Sequence, residues 1–186
     1  MMSKIVFLLE EPSMKNALVH IMPKVVPSKI DLEYLPHQGK SDLLRSIPIK
    51  LRGWKEPGVT FVVIHDQDSN DCHMLKRKLI ELVNKNGRPD TLIRIACREL
   101  ESWFLGDFDA IEEAYGISLY RVRNKAKYRN PDSIQNAKEE LKSIAPSYQP
   151  FSGSHAIAAK MVLENNRSYS FSVFIKGIKD LCETIS

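Results

Sequence analysis

Three apolar runs in the sequence lead straight into acidic residues. Glu10 follows KIVFLL at Lys4 to Leu9, Asp66 and Asp68 come just after VTFVVI at Val59 to Ile64, and Glu99 and Glu101 follow TLIRIA at Thr91 to Ala96. Carboxylates are hard oxygen donors. With no His or Cys at metal-ligand spacing beside them, they select Mg2+ or Mn2+ over zinc. An ion held in this way activates water and stabilises the leaving oxygen of a phosphodiester. Gathered in one place without a cation, the same carboxylates repel one another.

Spacing refines the roles. Asp66 and Asp68 are two apart, so on extended backbone both side chains point to one side and Gln67 to the other, and both can hold one ion. Glu10, Asp66 and Asp68 are therefore the candidate metal ligands, with Glu99 or Glu101 completing the site or serving as base. Extended backbone would face Glu99 and Glu101 the same way, whereas a helix starting there would separate them. Asp71, in the turn before an amphipathic stretch, and Asp107, before Phe108, fit helix N-caps better than ligands. Trp103, Phe104 and Leu105 read as core packing, as does Cys97 at the end of its strand. His65 and His155 have no accompanying nucleophile or ligand spacing and read as structural.

Arg121, Arg123, Lys125, Lys127 and Arg129 place five cations within nine residues, with no acid among them and with Tyr120 and Tyr128 flanking the run. Such a segment can track a phosphate backbone while its tyrosines stack on bases, or it can be a solvated face without a partner. Lys40, in Gly39-Lys40-Ser41, is a further phosphate candidate, although the upstream glycine of a P-loop is missing.

These acids need a scaffold that brings distant segments together. Lys4 to Leu9 and Val59 to Ile64 have the continuous apolar pattern of strands covered on both faces. Asp31 to Leu35 is a weaker strand, and Thr91 to Ala96 another. Between them, Leu18, Ile21, Met22 and Val25 recur at helical spacing. Leu43, Leu44, Ile47 and Leu51 do so despite Pro48, and Cys72, Leu75, Leu79, Leu82 and Val83 form one stripe that stops at Asn86-Gly87. Strand and helix in alternation predict an α/β fold, an open, mainly parallel sheet with helices on both faces. In such sheets ligands bind beyond the carboxyl ends of the strands. After Asp107 the strands cease. Phe108 to Tyr115, Pro131 to Ile144, Ala156 to Leu163 and Phe171 to Cys182 predict a helical extension, 108–186, packed on a core of 1–107 within a single structural domain.

A chain of 186 residues lies in the usual range for one domain. Its formal charge of +4 is too mild for the sum alone to imply nucleic acid. Cys72, Cys97 and Cys182 are odd in number and in no CxxC pair, which argues against a disulfide framework or zinc site and fits a reducing cytoplasm. The apolar stretch Ile5 to Leu9 is too short for a signal-peptide core or a membrane span, so no membrane partner is expected.

The order of a Glu after the first strand, a DxD after a central strand and a further acid after the next resembles the Toprim pattern of topoisomerases, primases and overcoming-lysogenization-defect nucleases. More closely, LLEEPSMKNAL, HQGKSDL, FVVIHDQDSNDC, LIRIACRELESWFLGD and RNPDSI are similar to the Toprim-like family called domain of unknown function 4276, from about Ile5 to Phe174, and the motif around Glu101-Ser102-Trp103 is specific to it. The resemblance implies a Toprim-like fold, an acidic site, and a place beside ATPase partners in prokaryotic defence loci. One departure is that Glu11-Pro12 follows Glu10 where many Toprim proteins have Glu-Gly. A metal-dependent nuclease acting on DNA or RNA accounts for the acids and the basic run together. A catalytically silent subunit that docks on an ATPase is the alternative, motivated by the absence of a motor domain. Another Mg2+-dependent phosphotransfer on nucleotides and assembly into a homo-oligomer both stay open.

Overall fold

The computed structural model describes residues 3–185. Its sheet has four strands, β1 (Lys4–Leu9), β2 (Asp31–Pro36), β3 (Val59–Asp66) and β4 (Leu92–Ala96), all parallel and in the order β2-β1-β3-β4. Parallel pairing requires a crossover between neighbours, and helices supply it: α1 (Pro12–Ile21), α2 (Lys40–Gly53) and α3 (Cys72–Lys85). Five more follow the last strand, α4 (Leu100–Leu105), α5 (Phe108–Tyr115), α6 (Ala137–Ile144), α7 (Pro150–Lys160) and α8 (Tyr169–Ile185). This is the expected α/β architecture, an open parallel sheet with helices on both faces.

Strand alternation sorts the core into two layers. Ile5, Phe7, Leu9, Val62 and Ile64 face one side, where they pack with α1 and the helices after Asp107. Val6, Leu8, Phe61, Val63, Ile93 and Ile95 face the other, under Leu43, Ile47 and Leu51 of α2 and Leu79 and Val83 of α3. Trp103, Phe104 and Leu105 are fully buried, as expected. None of the described helices is long and apolar enough to cross a membrane.

Two local expectations change, while α2 runs through Pro48 as its apolar spacing predicts. Pro48 does not interrupt α2: it removes the N–H that the Leu44 carbonyl would accept, but Leu44 is on the exposed side and the buried stripe continues past it. The stretch from Pro131 is not one helix, since a 3-10 turn at Pro131–Ser133 precedes α6. The helix expected over Ala156 to Leu163 is α7, which runs instead from Pro150 to Lys160 and so includes Gly153. A Cβ on Gly153 would come within 2.4 Å of the Tyr148 ring and 2.7 Å of the Tyr115 hydroxyl, so this glycine permits close packing and not a turn.

Candidate functional site

Because the strands all run one way, their carboxyl ends share an edge. Leu9 pairs with Ile64, and β3 continues two residues further to Asp66 opposite Ala96. Glu10 therefore emerges beside His65 and Asp66. It is buried, its Oε2 accepts the Asp66 backbone N–H at 3.1 Å, and the same oxygen lies 3.0 Å from Nδ1 of the buried His65. Nδ1 is also 2.6 Å from the Asp66 carbonyl. A carbonyl only accepts, so this nitrogen carries the proton. His65, read from sequence as structural, is thus the group that orients Glu10.

Asp66 is the electrostatic centre of the edge. Its Oδ1 is buried without a hydrogen-bond partner. Burial, reinforced by the charges of Glu10, Glu101, Glu11 and Asp68, pushes its pKa well above the usual carboxylate range. Burial also raises Glu10, against the opposing pull of His65 and the Asp66 N–H. Glu11 stands at the N-cap position of α1, its carboxylate 3.5 Å from the Ser13 hydroxyl.

The pair after β4 is separated by the helix that starts at Leu100. Glu99 turns away to accept the Lys138 backbone N–H at 2.9 Å. Glu101 is buried, accepts the Tyr148 hydroxyl at 2.9 Å, and is raised in pKa by that burial. Burial alone would lower the Lys138 ammonium, but Glu101, Glu11, Glu99 and Asp66 around it hold it above its usual value. Neither Lys138 nor Tyr148 carries a sequence signal for this role, since both arrive only when α6 and the turn after it pack on α4.

Asp68 departs from the extended geometry assumed for the DxD pair. It has φ 52°, in the left-handed region that non-glycine residues seldom occupy. Its carboxylate is consequently turned to Lys40 Nζ at 3.3 Å, beside Gly39 at φ 94°. Across the next loop Arg98 is also left-handed, at φ 65°. The two loops lock together through Asp68 N–H to Arg98 O at 2.9 Å, Gln67 N–H to Ala96 O at 2.9 Å, and Arg98 N–H to Gln67 Oε1 at 3.2 Å. Backbone strain of this kind persists where surrounding structure over-determines it, and it clusters at functional sites. Asp68, Arg98, Glu99, Gln135 and Asn136 line a polar cleft of about 280 Å³ beside these loops.

Among the described residues, no three His, Cys, Asp or Glu side chains are assembled closely enough to hold an ion. The expected convergence of Glu10, Asp66 and Asp68 on one point is therefore not preformed. Lys40 holds Asp68 outward and the Asp66 N–H holds Glu10. The donor set nevertheless fits a hard divalent cation. It is all oxygen, one buried oxygen of Asp66 is orphaned, and burial raises both Glu10 and Glu101 beside it.

Elsewhere, Asp71 and Asp107 are the predicted caps, accepting Met74 N–H at 2.8 Å and Ala110 N–H at 3.1 Å. His155 pairs with His20 at 2.9 Å where α7 meets α1. Cys97 is only half-buried, a correction to its reading as core, because β4 ends there and its thiol meets that of Cys72 across the two loops. In the basic run, Arg123 is paired with Asp109 at 2.7 Å and Glu112 at 2.9 Å, and Lys127 with Glu140 at 2.9 Å. Arg121, Lys125 and Arg129 have no ion-pair partner among the described residues and are exposed.

Over residues 9–179 the chain matches the family described as domain of unknown function (DUF4276). The chain belongs to that family. No curated protein matches it. Among solved structures it is similar to the C-terminal region of the Burkholderia pseudomallei OLD protein, at 14% identity and a TM-score of 0.55, with 98% of each chain covered. At that identity the likeness establishes a shared fold.

Proposed function

We propose that this protein is a metal-dependent phosphodiesterase, a Toprim-like nuclease that uses Mg2+ or Mn2+ to hydrolyse nucleic acid in the prokaryotic cytoplasm, within a defence system and beside an ATPase partner. The observation that carries the proposal is the buried, unpartnered Oδ1 of Asp66 among Glu10, Glu101 and Asp68. The fold it shares with the OLD C-terminal region supports the same reading. When bound at Asp66, Glu10 and Asp68, the metal supplies an activated water and a polarised phosphate oxygen. The chain's own residues do the rest. His65 and the Asp66 amide hold Glu10 in place. Glu101, with Oε1 engaged by Tyr148, has its other oxygen to take a proton from the attacking water. Lys40, Arg98 and Lys138 offer positive charge to phosphate oxygens along the edge.

The test is incubation of the purified protein with duplex DNA, single-stranded DNA and RNA in Mn2+ and in EDTA, with and without a candidate ATPase partner. Cleavage in Mn2+ that is lost in Asp66→Asn is expected. Absence of cleavage under every condition would rule the proposal out. The second reading, a silent subunit that docks on an ATPase, is favoured by the ion pair that turns the Asp68 carboxylate to Lys40 and by the lack of a preassembled ion site among the described residues. It predicts ATPase binding with no cleavage.

A further inference from the structure

Positive charge is concentrated on one layer of the molecule. α2 carries Lys40, Arg45, Lys50 and Arg52 against Asp42, and α3 carries Lys76, Arg77, Lys78 and Lys85 against Glu81. The two helices thus hold a surplus of six positive charges while the whole chain holds four, so everything outside them is net acidic. Both pack on the same face of the sheet, and their outer sides form one surface. Arg52, Arg77, Lys78 and Lys85 are exposed there and have no carboxylate within ion-pair distance among the described residues.

This layer is continuous with the acidic edge. α2 starts at Gly39, whose N–H bonds the Glu10 carbonyl at 2.9 Å, and its first residue, Lys40, meets Asp68. α3 starts just past the Asp66 to Asp71 loop. Both helices therefore run away from that edge. Each has 14 residues and at 1.5 Å per residue spans about 21 Å, roughly six base pairs of duplex. The large apolar side chains exposed on these two helices are Leu44, Ile49, Met74 and Ile80, with no exposed Phe, Tyr or Trp. A single strand is held chiefly by stacking its bases on aromatic side chains, whereas a duplex presents only its phosphate backbones to such a surface.

We infer that the outer face of α2 and α3 is a docking surface for the phosphate backbone of a nucleic-acid duplex, leading it to the acidic edge. The inference rests on the nuclease reading for its purpose and on the charge distribution for its location. It moves the principal phosphate contacts away from residues 121–129, where two of five cations are already neutralised.

The test compares the parent protein with a variant carrying Arg52→Glu, Arg77→Glu, Lys78→Glu and Lys85→Glu, and with one carrying Arg121→Glu, Lys125→Glu and Arg129→Glu. Binding to a fluorescent duplex of about 30 base pairs is followed in EDTA between roughly 50 and 200 mM salt, where each lost phosphate contact flattens the log–log slope by about 0.9. The first variant is expected to lose three to four units of slope, at about 0.9 per contact, and the second to bind like the parent. Both should retain the Mn2+-induced rise in melting temperature. If the reversed variant fails to fold, the same four positions changed to Gln are expected to lower affinity in the same direction. Parent-like duplex binding by the α2 and α3 variants overturns the inference. So does a larger loss in the 121–129 variant, or a loss confined to single strands or to vesicles of anionic phospholipid. Binding in EDTA does not depend on cleavage, so a parent that binds duplex with a steep salt slope but never cleaves it refutes the nuclease reading and leaves the surface standing.

Discussion

At the carboxyl edge of the sheet, Asp66 keeps one carboxylate oxygen buried with no partner and is crowded by Glu10, Glu101, Glu11 and Asp68, whereas in the segment 121–129 Arg123 and Lys127 each end in an ion pair supplied by α5 or α6. Both regions are dense in like charge, the first gathered from three strand ends and the second contiguous along the chain. In the second, neighbouring helices return the opposite charge at 2.7 to 2.9 Å, and the pairs are partly exposed, so each contributes about 1 kcal/mol or less. In the first, the compensating cations are Lys40, which reaches only Asp68, and Lys138, which stands among several acids. Uncompensated buried charge costs stability, and a fold that keeps it has charge left over for a ligand to neutralise.

Asp66→Asn should produce the largest change. Removing the buried charge relieves the site, so melting in EDTA should show a higher melting temperature than the parent's, while the Mn2+-induced shift and Mn2+-dependent cleavage disappear. Destabilisation in EDTA would mean that Asp66 is already compensated, and the contrast between the two regions would fail. Next comes Tyr148→Phe, which takes from Glu101 its hydroxyl partner. Loss of such an outer partner typically costs roughly 10- to 100-fold in metal affinity or activity, and Mn2+-dependent cleavage should fall by that factor with the fold retained by circular dichroism.

A pH series sharpens the same contrast without mutation. Asp66, Glu10 and Glu101 are all raised in the fold above reference values of 3.8 and 4.5. Groups raised on folding lend stability that is full below those reference values and is lost as pH climbs through the folded ones. Chemical denaturation in EDTA should therefore show stability from this cluster falling as pH rises from about 4 toward neutrality, and saturating Mg2+ should restore it at the upper end. A stability that instead rises steadily across that window, in EDTA, would contradict the raised carboxylates. The smallest effect is expected from Arg123→Ala, which removes two such pairs, should cost about 2 kcal/mol or less and leave duplex binding and cleavage unchanged. A loss of cleavage there would show that the basic segment serves the acidic edge after all.

Much of this was legible in the linear sequence. The four strands, the first three helices and the position of acids at or just past the ends of β1, β3 and β4 follow from apolar runs and 3.6-residue periodicity, because local burial dictates both. The caps at Asp71 and Asp107 were readable for the same reason: a cap is satisfied within three residues of itself. Glu10 was identifiable because it directly succeeds an apolar run. Tertiary structure decided the rest. Whether Glu99 or Glu101 faces Asp66 depended on where α4 begins, and whether Asp68 lies beside Asp66 depended on a left-handed turn fixed by hydrogen bonds to the next loop. The roles of His65, Tyr148 and Lys138, and the neutralisation of Arg123 and Lys127, depended on partners brought from other strands and helices. A sequence specifies which groups are charged, but a charge is spent or left over according to what lies within a few ångströms of it, and those neighbours come from segments that only the folded chain brings together.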